Sequence, residues 1–301
     1  MRTSVILGIA LAGLMMSSCS KDQSQRDKLA DQSITFNAGL KKATSQNALT
    51  TSWATNDQIG IFMVDHGTNT ISQGASNRLY SNTATGFKAT AGQEIYYPVS
   101  DSKVDFIAYY PYSAAIGSLG NYPIDISSQT NLAGIDLLWA KADNTGAGYN
   151  KTSSTNVPLT FDHKLAKLVI LTKPAAGMDN TTTDWKGMAI SIQGMNTKAD
   201  FALANGAMTN PNSKANITPY TATQGAQYEA IVLPATFTNA GDLKITFQIG
   251  ADVFTWSSQA GESFQAGKQY TYTIDITKTG VNFGGMTIND WTEVTRTGVA
   301  N

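Results

Sequence analysis

Short apolar runs, each closed by Gly, Asn, Asp, Ser or Pro, recur along most of this chain. Two of them alternate with period two. In 244–249, Ile245, Phe247 and Ile249 oppose Lys244, Thr246 and Gln248. In 269–276, Tyr270, Tyr272, Ile274 and Ile276 oppose Thr271, Thr273 and Asp275. Such alternation predicts strands with one face on a core and one in water. "GAD" at 250–252 predicts a hairpin turn between two strands. Further strands are predicted at 58–64, 94–99, 103–110, 136–142, 157–161, 167–173, 187–193, 228–237, 242–250, 252–257 and 268–278, from β-branched and aromatic content between turn signals. "HKLAKLVI" (163–170) is the one segment with a helical look, and its β-branched end favours strand. The expected fold class is all-β, built of antiparallel β-sandwiches.

The run "DNTGAGYNKTSSTN" (143–156) is almost entirely turn formers. It predicts a boundary between an N-terminal unit at 33–152 and a C-terminal unit at 153–301, hence two sandwiches in tandem rather than one large sheet.

The N-terminus reads as an address. Arg2 precedes the apolar run "VILGIALAGLMM" (5–16). That run is too short to cross roughly 30 Å of hydrocarbon, which takes about 20 residues. Residues 1–18 therefore form an expected secretory signal. Cys19, the only cysteine, follows small residues in "MMSSCS", the pattern of a lipobox. An acylated Cys19 would hold the precursor at a membrane through more than one acyl chain. Residues 19–32 then read as a polar leash.

Just beyond lies "SITFNAGLKKATS" (33–45). Ile34, Phe36, Ala38 and Leu40 fall on one face of a strand, and Lys41-Lys42 follow at once before a small polar run.

Composition narrows the function. Charged residues make up 14% and the formal net charge is −1, which leaves no basic field for nucleic acid. The two histidines, His66 and His163, lie in different halves, and no Gly-x-Ser-x-Gly elbow, Walker loop or metal-ligand spacing is present. No catalytic residue, metal or cofactor is expected. Trp53, Trp139, Trp185, Trp256 and Trp291 are spread through both halves. Their first role is packing, with stacking on a glycan as the alternative.

The lipobox with Cys19 is followed, in order, by "ITFNAG", "SWATNDQIGIFMV", "VDFIAYYPYS", "DLLWAKA", "VPLTFDHKLAKLVI", "YEAIVLPATF", "FQAGKQYTYTIDITKTG" and "GGMTINDWTE". In this series the chain resembles the fimbrillin-like proteins, the type V pilin or Mfa-like lipoprotein family, over nearly its whole length. The resemblance implies two tandem transthyretin-like β-sandwiches and a non-catalytic role in adhesive fimbriae of a Gram-negative surface. It further implies export to the outer membrane as a lipoprotein and removal of the first strand by a trypsin-like protease. A strand from a neighbouring subunit then fills the vacated groove.

Carried onto this chain, the resemblance makes Cys19 the lipidation site and Lys41 and Lys42 the processing site. Ile34, Phe36, Ala38 and Leu40 belong to the removable strand. The family's protease prefers arginine, and here the pair is lysine. The segment 281–301 is the candidate donor, with Val281 and Phe283 alternating and Met286 and Ile288 following in a second register across Gly284-Gly285. The competing reading makes it the last strand of the second unit, with Trp291 as an edge cap. A second functional reading also stands: a surface lipoprotein that does not polymerise and binds glycan or host protein.

Overall fold

The computed structural model describes residues 32–40, 53–175 and 177–291. Cys19, Lys41, Lys42 and the tail after Trp291 lie outside these residues. In chain order the first elements are β1 (Thr35–Leu40), β2 (Gln58–Asp65), β3 (Arg78–Thr83), β4 (Gly86–Ala89), β5 (Val104–Tyr110), β6 (Asn121–Asp125), the one-turn helix α1 (Leu132–Ile135), β7 (Leu138–Ala142) and β8 (Asn156–His163). All of these strands except β6 join one ladder that closes on itself in the order β1-β4-β3-β2-β5-β7-β8.

The second half contains β9 (Ala166–Pro174), α2 (Thr183–Lys186), β10 (Ala189–Gln193), β11 (Asn196–Ala202), β12 (Ala207–Lys214), β13 (Tyr220–Thr223), β14 (Gln227–Val232), β15 (Ala235–Phe237), β16 (Lys244–Ile249), β17 (Asp252–Ser257), β18 (Glu262–Phe264), β19 (Lys268–Thr277) and β20 (Gly280–Asp290). A five-stranded sheet, β13-β14-β9-β19-β20, shares a core with the three-stranded sheet β10-β16-β17. Ile190, Ile245 and Phe247 on one side meet Leu168, Ile170, Tyr272 and Ile274 on the other. The fold is all-β, as the sequence pattern predicts.

The alternating strands behave as read. Ile245, Phe247 and Ile249 are buried while Lys244 and Gln248 are exposed. The β16–β17 hairpin turns through Gly250-Ala251, closed by the Ile249–Asp252 pair, with Gly250 at φ +59°. Positive φ at the first loop position is what a two-residue hairpin demands. Strands β2 and β5 read instead as continuous apolar runs, because both of their faces are covered. Ile61, Met63, Phe106 and Ala108 fill the first barrel, while Phe62, Ile107 and Tyr109 join the second core.

The expected division at 152/153 falls inside the first barrel's ladder. Strand β8 lies beyond it, yet Val157, Leu159 and Phe161 are buried in the first core and β8 pairs with β1 and β7. The turn-rich 143–156 run connects β7 to β8 within one unit. Loop composition is the same within a unit as between units. The halves are also tied together: β6 pairs with β11. Buried Gln129 accepts from the Ile231 N–H at 2.8 Å and donates to the Ile231 carbonyl at 3.0 Å. Residues 94–99, expected as a strand, form irregular backbone with Ile95 and Tyr97 buried.

Candidate assembly site

Strand β1 is the closing strand of the first barrel. It runs parallel to β8 from Thr35–Asn156 to Leu40–Phe161, six residue pairs in register. On its other side it meets β4 through the single pair Phe36–Phe87. Just before the strand, Ile34 N–H donates to the Ile95 carbonyl at 2.8 Å. The row predicted to face the core does so. Ile34, Phe36 and Leu40 are buried, and Ala38 packs against the same core. The Phe36 ring meets Tyr80 and Phe106 edge to face, each at 5.2 Å between centroids. Burial of Ile34, Phe36 and Leu40 stabilises the barrel by roughly 1.5–3 kcal/mol apiece.

The body of the barrel grips β1 from the far side of the dibasic pair. Trp53 Nε1 donates to the Ala38 carbonyl at 3.0 Å. Its ring packs edge-on against Phe87, Tyr110 and Phe161 at 5.0, 5.4 and 5.2 Å. Trp185, Trp256 and Trp291 are buried, and Trp53 and Trp139 are partly buried. The signal that could have placed Trp53 was its position just past the polar run, in "SWATND".

Strand β20 is the edge of the five-stranded sheet, antiparallel to β19 from Lys268–Asp290 to Thr277–Gly280. Phe283, Met286 and Ile288 stand opposite Ile274, Tyr272 and Tyr270, on the core side of the sheet. They are nevertheless 40–50% exposed, at the open edge of the sheet. A bulge at Gly284 shifts the row by one residue, which explains the change of register between Phe283 and Met286. Phe283 alone finds ring partners, Trp256 at 5.7 Å and Tyr272 at 5.6 Å. Beneath them, burial and the Glu262 carboxylate push the Tyr272 hydroxyl well above the usual phenol range. It stays a neutral donor to Glu262 Oε1 at 2.6 Å.

After β20 the chain turns inward. Trp291 is buried and donates its N–H to the Gly267 carbonyl at 2.8 Å. Its ring stacks on His163, with centroids 4.0 Å apart and planes 8° from parallel. His163 Nδ1 in turn bonds the Asp136 carboxylate at 2.9–3.0 Å, and both residues are buried. Beside this group lies a cavity of about 280 Å³, lined by Leu40, Trp53, Tyr110, Leu138 and Trp291 among others. The buried Lys167–Glu229 ion pair, at 2.7 Å, forms part of its wall.

The histidines are thus far apart in role. His66 Nδ1 bonds buried Asp105 at 2.8 Å at a loop in the first barrel. Each histidine is oriented by a carboxylate, and neither is joined by a serine or cysteine nucleophile in the hydrogen bonds described. Among the described residues no group of three or more His, Cys, Asp or Glu could hold a metal ion.

Comparison with known proteins places these features in context. A family model described as fimbrillin-like matches residues 42–291. The chain is similar to Fim1C of Bacteroides uniformis, named as a fimbrium subunit, with 32% identity over 300 residues. The match covers 97% of this chain and 96% of that protein. A crystal structure from Bacteroides uniformis, named as a cell adhesion protein, superposes with a TM-score of 0.68 at 34% identity. It covers 80% of this chain and 93% of the other. A second, from Bacteroides ovatus, superposes at 0.66 with 18% identity, over 86% of this chain and 97% of the other, and shares the fold.

Proposed function

Because the chain belongs to the fimbrillin-like family, we propose that it is a structural subunit of adhesive fimbriae, assembled by strand exchange after β1 is removed. Its role is non-enzymatic, and its place is the cell surface among other fimbrial subunits. The precursor is exported as an outer-membrane lipoprotein through Cys19. A trypsin-like protease cuts at Lys41 or Lys42 and separates lipid, leash and β1 from the body.

The observation that carries this reading is the seating of β1. It closes the barrel, with six pairs to β8 and a single pair to β4. Without it, the edges of β8 and β4 would face each other across a floor of Tyr80, Phe87, Phe106, Val157, Leu159 and Phe161. Two unpaired edges over an apolar floor are driven to take up another strand. The apolar side chains of β20, Val281 and Phe283 in one register and Met286 and Ile288 in the next, are those it would offer to the sites left by Ile34, Phe36, Ala38 and Leu40.

The competing reading is a surface lipoprotein that keeps its anchor and binds glycan or host protein. The observation on its side is that β20 is paired with β19 along its length, pairing that a donor must give up. Replacing Lys41 and Lys42 by Gln separates the two. A polymerising subunit should then accumulate as acylated precursor and disappear from sheared filaments. Filaments of unchanged yield would refute processing at this pair.

A further inference from the structure

Strand β20 is held at its end by residues that belong to the first barrel's seam. His163 is the last residue of β8. Residues Asn156–Phe161 of β8 have β1 as their ladder partner, and β7 reaches only Asp162 and His163. Among the described residues, β8 therefore keeps two strand pairs when β1 is gone. The pairing of Leu40 with Phe161 ends two residues before His163. Leu40, at the end of β1, and Trp291, at the root of β20, line the same cavity. The half-exposed Phe283, Met286 and Ile288 add little grip to β20. It is fastened by its ladder to β19, by the Lys268–Asp290 ion pair and, at its root, by the Trp291 N–H bond to Gly267 and the buried stack of Trp291 on His163.

We infer that β8 couples the departure of β1 to the release of β20: the Asp136–His163–Trp291 stack latches the donor strand while β1 is in place and loosens when β1 leaves. This rests on the strand-exchange reading and adds its regulation. With β1 present, β8 is paired along its length, Asp136 orients the His163 ring, and the ring face holds Trp291. With β1 absent, His163 keeps its pair to Leu138 and its bond to Asp136, but Asn156–Phe161 lose their β1 partner, so the strand that carries the ring is held at its end alone. A subunit then opens its acceptor groove and loosens the root of its own donor in one event. The unprocessed precursor keeps both closed, which prevents filling of neighbouring grooves before export is complete.

Coupling between two sites is reciprocal. Loosening Trp291 must therefore loosen β1 by the same factor. The test uses the full chain carrying a site-specific protease sequence within 43–50, followed as a monomer. After the cut, loss of β1 should raise amide hydrogen exchange in β20 by about tenfold, a typical coupling factor. Amides of β9 and β14 should be unchanged. In the uncut chain His163→Ala should reproduce the selective change in β20, and Trp291→Leu serves where that variant does not fold. Reciprocally, cut β1 should be held about tenfold more weakly by Trp291→Leu than by the parent chain, read as the equilibrium fraction of β1 released. Equal retention of β1 at equilibrium, or β20 protection unaffected by loss of β1, would overturn the latch. So would a loss of protection spread evenly over the second half. None of these measurements involves filaments. A finding that filaments retain β1 would end the assembly reading without touching the coupling, and the converse also holds.

Discussion

Trp53 Nε1 and the Ala38 carbonyl are hydrogen-bonded at 3.0 Å across the dibasic pair that separates them in sequence. The bond joins a residue that stays in the body to the backbone of the strand proposed to leave. Any replacement strand must offer a carbonyl at the same place. Trp53→Phe keeps an aromatic ring in the cluster with Phe87, Tyr110 and Phe161 but removes the donor. The expected cost is about 1 kcal/mol, the net worth of one such bond. Urea unfolding of the precursor measures it, and a midpoint identical to the parent would show that the bond contributes nothing.

Phe36 should matter before processing and not after. Phe36→Ala removes a buried ring from contact with Tyr80 and Phe106. It should destabilise the precursor by about 3–5 kcal/mol. Filaments built from whatever precursor survives should melt as those of the parent do, because the altered strand is absent from them. Parallel thermal melts of precursor and filament give the comparison, and a shifted filament melt would place β1 in the filament.

The edge row predicts the opposite separation. Ile288 is half exposed in the folded chain. Ile288→Lys should cost the monomer no more than about 1 kcal/mol, roughly half the value of full burial. As a donor residue buried in a neighbour's groove, the same lysine should abolish assembly. Chemical denaturation and polymerisation of the processed chain are the two readouts. Normal filaments from a well-folded Ile288→Lys chain would remove β20 from the donor role.

The buried Lys167–Glu229 pair bounds the cavity between the halves. Glu229→Leu leaves the lysine uncompensated and should cost about 3–5 kcal/mol. The double change Lys167→Met with Glu229→Leu should recover most of that loss. A double-mutant cycle by denaturant unfolding reads the difference. Additive losses would mean that the two side chains do not act as a pair.

These elements also show what was legible in the sequence. Strands β1, β16 and β19 announce themselves because one face is wet and one dry, so residue type alternates with the pleat. Strands β6, β12 and β13 do not. They carry polar residues such as those of "NYPID" and "YTAT", and their place comes largely from backbone pairing with β11 and β14, with Ile124 the one buried side chain among them. Ile95 and Tyr97 mislead in the other direction, since they are buried without a ladder. At the site, the apolar rows of β1 and β20 could be read from their spacing. The stack of Trp291 on His163 could not, because it depends on two strands of different sheets ending at one place.

The central claim is that β1 is part of the precursor and not of the fimbria. The most direct measurement is the N-terminus of subunits in filaments sheared from the surface, by intact mass and terminal sequencing. The account predicts chains that begin at Lys42 or Ala43, carry no acyl group and lack Ile34, Phe36, Ala38 and Leu40. Filament subunits that begin at an acylated Cys19 would contradict it.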